Sequence, residues 1–260
     1  MQLEKSLRHR WIQESLPSGR PAQAVLHLRR ALEIYAEDYD NLAEPPWRLE
    51  SEGWYSLRSV VGDMGEFEEE LRLIDVFNER QLVYEERYGE RYRDMVGERG
   101  WPLMKLERYD EAKHWAYKAL EVENSNWQTS LGWNVLCATA GELGEREAAL
   151  EACESGLEHG RSNGYGISID ASNASNAAFS MFEYDKAERY AKEATQAADG
   201  TTVSAWLNLL QYYLGRGQGE RALSALQGLN ASMAAEEPQY RVQKRADVDA
   251  AFSMLLLSAG

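Results

Sequence analysis

The sequence predicts an all-α fold, a solenoid of antiparallel helix hairpins, on three observations. The first is a pattern shared by six stretches: GRPAQAVLHLRRALEI from Gly19, GEFEEELRLIDVFNER from Gly65, ERYDEAKHWAYKALEV from Glu107, GEREAALEACESGLEH from Gly144, FEYDKAERYAKEATQA from Phe182 and GQGERALSALQGLNAS from Gly217. Five places into each lies a small residue, Ala24, Ala112, Ala149, Ala187 or Ala222, with Glu70 the exception. Leu28, Ile74, Ala116, Cys153, Ala191 and Leu226 follow four places on, then Ala31, Phe77, Ala119, Gly156, Ala194 and Leu229 after three more, so one stripe runs along a helix face. The second observation is a preceding helix, marked by Trp54, Trp133 and Trp206 sixteen places before the small residue in three copies. The third is composition: 44% hydrophobic and 27% charged residues with 6 Pro suit a globular chain and exclude wholesale disorder.

The elements follow in order. Residues 1–50 read as a divergent N-terminal hairpin, with Arg8 at the place that Trp takes in other copies. Residues 51–245 hold the remaining repeats. Trp54, Leu57 and Val61 line the first arm of the second hairpin, and Trp133, Leu136 and Ala140, then Trp206, Leu209 and Tyr213, repeat that spacing. Gly19, Gly65, Gly144 and Gly217 fall at the turns, where a left-handed backbone costs Gly little. In the third copy Pro102 interrupts the first arm, and residues 85–92 read as an insertion. Copies begin 46, 42, 37, 38 and 35 residues apart, as units of roughly 34 residues joined by variable loops. Residues 246–260 (ADVDAAFSMLLLSAG) fit either a capping helix or the first helix of a truncated seventh unit, with Phe252 and Leu256 on its apolar face.

The Trp-x2-Leu start, the Gly or acidic turn, Tyr109-Asp110-Glu111-Ala112, Tyr184-Asp185-Lys186-Ala187 and the small residues seven apart together resemble the tetratricopeptide repeat family. The resemblance spans about six repeats plus an incomplete seventh, and it implies that the hairpins stack into a right-handed superhelical solenoid. Small residues have a physical reason here, since two helices approach closely only where Cβ is the largest group. The resemblance implies that first helices line a concave face and that positions one, two and five after the Trp site point into it. In this chain those positions give Asn134, Asn173, Asn176, Asn208, Gln211 and Tyr55, with His9, Arg10 and Gln13 nearer the start. An amide both donates and accepts, so a row of them can grip the backbone of an extended peptide of any sequence. The row looks like a less regular version of the asparagine ladder in the superhelical domain of O-linked N-acetylglucosamine transferase. The implied function is a non-catalytic scaffold that binds a peptide or protein segment in the groove. The alternative is a regulatory or sensor region of a larger protein with a fused or associated effector enzyme.

Charge and chemistry narrow the partners. With 43 acidic and 28 basic residues the net charge is −15, which argues against nucleic acid as main partner and favours a basic or neutral ligand. The basic residues near the start, Lys5, Arg8, Arg10, Arg20, Arg29 and Arg30, face only Glu4 and Glu14, so the rest of the chain is more acidic still. His9, His27, His114 and His159 are scattered and no Cys-x2-Cys occurs, so neither metal nor cofactor is expected, and no catalytic residue. No run of apolar residues is long enough for a membrane span, and no leader is visible. Cys137 and Cys153 read as buried small hydrophobes in a reducing compartment, which points to the cytoplasm.

Overall fold

The hairpin turns set the register of the whole molecule. In the computed structural model, which describes residues 21–38, 47–89, 95–197 and 203–235, the backbone is left-handed at Gly65, Glu107, Gly144, Phe182 and Gly217, with φ of 80°, 60°, 74°, 64° and 67°. These residues open the second to sixth stretches of the repeat. At each, the amide N–H bonds the carbonyl three residues back, as from Gly144 to Gly141 at 3.1 Å and from Phe182 to Phe179 at 3.0 Å. The next N–H reaches five residues back, as from Glu145 to Ala140 at 2.9 Å and from Glu183 to Ala178 at 3.0 Å. That double bond pattern is the Schellman helix end, which satisfies carbonyls the helix itself leaves open and turns the chain sharply into the next helix.

Among the described residues the structure is helical, with no strand. The helices are α1 (Pro21–Asp38), α2 (Trp47–Asp63), α3 (Phe67–Tyr88), α4 (Gly100–Lys105), α5 (Tyr109–Leu120), α6 (Asn126–Glu142), α7 (Arg146–Asn163), α8 (Ile167–Ser180), α9 (Tyr184–Gln196), α10 (Val203–Gly215) and α11 (Gly219–Ala235). A 3₁₀ turn, Gly97–Arg99, precedes α4. The pairs α2/α3, α6/α7, α8/α9 and α10/α11 pack as antiparallel hairpins. Pro102 sits in the first turn of α4, where a missing N–H costs little, so that arm is short. The expected insertion after residue 84 takes a different form in its described part. Glu85 to Tyr88 continue α3, which ends on Gly89 with φ 69° and an N–H bond to the Glu85 carbonyl. The expectations for residues 1–20, which include His9, Arg10 and Gln13, and for residues 246–260 lie outside the described residues.

The chain divides into two units, Met1–Trp115 and Ala116–Gly260. In the first, Ala24, Leu28 and Leu32 of α1 pack with Leu57, Val60 and Val61 of α2 and with Leu73 of α3. Glu70, standing where other copies have Ala, is buried among them. Its carboxylate meets Arg58 at 3.0 Å and fills the space over Gly62, where a Cβ would come within 2.5 Å of its oxygen. The large and small residues have exchanged arms, so the close approach survives the substitution. Arg58 also pairs with Glu98 at 3.2 Å. Nearby, the buried Glu50 carboxylate accepts from Arg80, from Tyr84 and, at 3.2 Å, from Trp54 Nε1.

The second unit is built on small residues instead. Ala149, Ala187 and Ala222 are buried as the stripe requires, together with Ala191 and Ala194. Trp206 is 3% exposed, lies against Gly228 and donates from Nε1 to Thr195 at 2.6 Å. Trp54 and Trp133 are half-buried against their own hairpins rather than fully enclosed. The cysteines require a correction. Cys137 on α6 and Cys153 on α7 form a disulfide, with 5.2 Å between their Cα atoms. The two arms of one hairpin place them opposite each other, Cys153 on its stripe and Cys137 beside the other, within the ordinary span of such a bond. The bond cross-links the two arms, and both residues are buried as expected.

Candidate functional site

The amide row assembles in the second unit. Its first helices α6, α8 and α10 lie side by side, and Asn134, Asn173, Asn176, Asn208 and Gln211 sit on them, all half-buried. Their order of hydrogen bonds follows from a residue that sequence reasoning passed over. Asp170 on α8 is 1% exposed, and its carboxylate can only accept. Asn134 therefore turns its Nδ2 to Asp170 Oδ1 at 2.9 Å, with Ser130 at 3.4 Å, and presents its own Oδ1 outward. Asn173 Nδ2 donates to that oxygen at 2.6 Å. One hairpin on, Asn208 Nδ2 donates to Asn176 Oδ1 at 3.1 Å. The buried charge thus polarises the Asn134–Asn173 pair across α6 and α8, and Asn176–Asn208 forms a second, separate pair across α8 and α10.

The structure also makes room for Asp170. Gly156 and Gly160 of α7 face it, and a Cβ on Gly160 would lie 3.2 Å from its Oδ2 and 2.8 Å from the Tyr165 carbonyl. A single acid in the small-residue run SIDASNASNAA, with no basic residue within one turn, was the available sequence signal. What remains for a ligand differs along the row. Asn134 is committed at both ends of its amide. Among the described residues the Oδ1 atoms of Asn173 and Asn208 hold no hydrogen bond, and Gln211 makes none. Tyr55, the sixth expected site residue, lies on α2 in the first unit, half-buried, with the Arg58 guanidinium 4.8 Å from its ring centre.

A second polar concentration lies on the second helices. An open depression of about 640 Å³ is lined by Asp185, Glu188, Arg189, Lys192, Glu193, Gln196 and Arg221. Glu188 stands at its centre and accepts from Lys192 at 2.7 Å, Arg221 at 2.6 Å and Tyr213 at 2.6 Å. Burial opposes the Glu188 charge, but the bonds from Lys192, Tyr213 and Arg221 prevail and hold its pKa at about 2. The Tyr213 hydroxyl is pushed up by burial and by its bond to Glu188. Such a cluster braces α9 against α10 and α11 and offers no poised acid or base.

No family model and no curated protein matches the chain. Solved structures do. A tetratricopeptide repeat protein from Parabacteroides merdae superposes with a TM-score of 0.52 at 15% identity, over 93% of this chain and 89% of that one. The chain has the tetratricopeptide-repeat fold. PilF of Pseudomonas aeruginosa is similar at TM-score 0.51 and 20% identity, over 93% of this chain and 98% of that one. In tetratricopeptide-repeat terms α6, α8 and α10 are the first helices of successive hairpins. Among the described residues no helix is long and apolar enough to cross a membrane.

Proposed function

We propose that the chain is a non-catalytic interaction scaffold that holds a peptide or protein segment along the first-helix face of its second unit. The observation that supports this most is the bonded amide row on α6, α8 and α10, whose outer carbonyls and amides remain open at Asn173, Asn208 and Gln211. An extended peptide rises about 3.3 Å per residue and hairpins stack about 10 Å apart, so each rung would serve about three ligand residues. The bonds go to the ligand backbone, which leaves side-chain preference to other contacts, and the charge of −15 favours a basic or neutral ligand. Asn134 acts as a positioning residue, since it links buried Asp170 to Asn173.

The test compares partners captured by the full chain with those captured by Asn173→Ala/Asn208→Ala/Gln211→Ala, identified by mass spectrometry. Each lost bond is worth about 0.5–1.5 kcal/mol, so the triple variant should lose its groove partners while its melting temperature barely changes. An unchanged set of partners, retained at unchanged affinity, would reject the groove.

A further inference from the structure

A different surface of the second unit lies at the tips of its hairpins. Phe182 is 67% exposed at the left-handed turn between α8 and α9, with φ 64°. Three of the five described hairpin turns place Gly at this position, which would remove both the backbone strain and the exposed ring. Phe182 does not stand alone. Its ring meets Tyr184 edge-on at 6.3 Å, Tyr184 stacks on Tyr212 of the next hairpin at 3.6 Å, and Phe179 meets both tyrosines edge-on.

An arginine closes each end of this strip. Arg146, from the tip of the preceding hairpin, holds its guanidinium 5.7 Å from the Phe182 ring centre, and Arg216 lies 5.7 Å from that of Tyr212. Nine other arginines among the described residues hold a carboxylate at ion-pair distance, Arg161 and Arg221 among them. Among the described residues Arg146 and Arg216 hold none, and neither does Arg189 in α9, although the chain has 43 acidic residues. Three consecutive tips therefore present cation, aromatic rings and cation; Arg216 bonds the Tyr212 side chain, and neither cation is held by a carboxylate among the described residues.

We propose that this strip is a second docking surface, which takes an acidic linear segment of a partner protein. Its carboxylates engage Arg146 and Arg216, and an apolar side chain between them packs on Phe182 and the Tyr184–Tyr212 stack. Two tip-to-tip steps of about 10 Å span about 20 Å, so the carboxylates stand about six residues apart in an extended segment. Rings beside cations also suit single-stranded nucleic acid, but a polyanion approaching a chain of net charge −15 is repelled over most of its length. The surface differs from the amide row in residues and in ligand charge, so the two bind independently.

The probe is a fluorescent peptide with two glutamates about six residues apart on either side of a leucine, titrated into the full chain at low salt and followed by anisotropy. Saturable binding is expected, weakened more than about tenfold in Phe182→Gly and in Arg146→Glu/Arg216→Glu. It should persist in Asn173→Ala/Asn208→Ala and be absent for the same peptide with lysines in place of glutamates. Phe182→Gly suits the turn backbone, so its loss of binding does not report misfolding, and a circular dichroism melt checks the arginine variant. Three results would each overturn the proposal: no binding of the acidic peptide to the wild-type chain, equal binding to both tip variants, or tighter binding of a single-stranded oligonucleotide.

Discussion

The two units fill the space between hairpin arms by opposite means. In the first, buried charge is set among the apolar contacts of α2 and α3: Arg58 lies between Glu70 and Glu98, and Glu50 accepts from Arg80, Tyr84 and Trp54. In the second, α8 and α9 meet through Ala171, Ala174, Ala178, Ala187, Ala191 and Ala194, and α6 and α7 through Gly156 and the Cys137–Cys153 bond. The repeat fixes where the arms touch, not what must touch there. Charge tolerates a large side chain in a close contact only where the partner arm yields, as Gly62 does for Glu70. Small residues need no such compensation but accept no enlargement.

The largest expected effect tests that contrast directly. Arg58→Ala strands two buried carboxylates, and loss of one partner from a buried pair costs about 3–5 kcal/mol. Ala187→Leu in the second unit forces extra methylenes into a contact where Ala187 is fully buried, at about 1–3 kcal/mol. Denaturant unfolding of both variants measures the difference. If Ala187→Leu is neutral, the second unit is not close-packed at its stripe; if Arg58→Ala is neutral, the ionic cluster of the first holds nothing together.

Much of this was legible in the sequence because it is periodic. The five turn positions among the described residues were read correctly even where Glu107 and Phe182 replace Gly, since the copies on either side supply the register. The amide row was placed on adjacent first helices for the same reason. Compensation was not legible. Glu70 stood out as an exception, but nothing local says that Gly62 makes room for it or that Arg58 and Glu98 complete its charge. Asp170 was missed because a buried acid reads like a surface acid until the helices packed over it are known. The burial of the two cysteines was legible but their bond was not, because a spacing of 16 residues leads to a bond only when the turn between the arms is tight.

Acid should push the two units in opposite directions. Burial raises the Glu70 pKa, outweighing the pull of Arg58. A carboxyl whose folded value exceeds its unfolded one binds a proton on folding, so its contribution is full below the unfolded value and is lost as pH rises through the folded one. Glu188 is the reverse. Its folded value is about 2 against an ordinary 4.5, so its contribution stands above pH 4.5 and is lost as pH falls towards 2. Hydrogen exchange followed from pH 6 to pH 3, about the carboxylate range, should show α9 and α11 losing protection while Glu70→Gln removes an acid-dependent gain in α2 and α3. Equal losses in both pairs of helices, with no effect of Glu70→Gln, would contradict the opposition.

The smallest effect compares the two turns that lack Gly, one in each unit. Glu107 and Phe182 hold φ of 60° and 64°, a conformation that costs a non-glycine residue about 1–3 kcal/mol at a strained site and somewhat less in a relaxed turn. Glycine removes that strain but gives the unfolded chain more freedom, which returns roughly 0.5–1 kcal/mol of the gain. Glu107→Gly should therefore stabilise the chain by up to about 1 kcal/mol, since Glu107 is exposed and its carboxylate makes no ion pair among the described residues. Phe182→Gly should gain less, because the ring also meets Tyr184 and Arg146. Paired thermal melts would rank them. A clear loss in Phe182→Gly would mean that the ring supports the fold, and the exposed strip would then be structural; a gain or no change leaves Phe182 free for a partner.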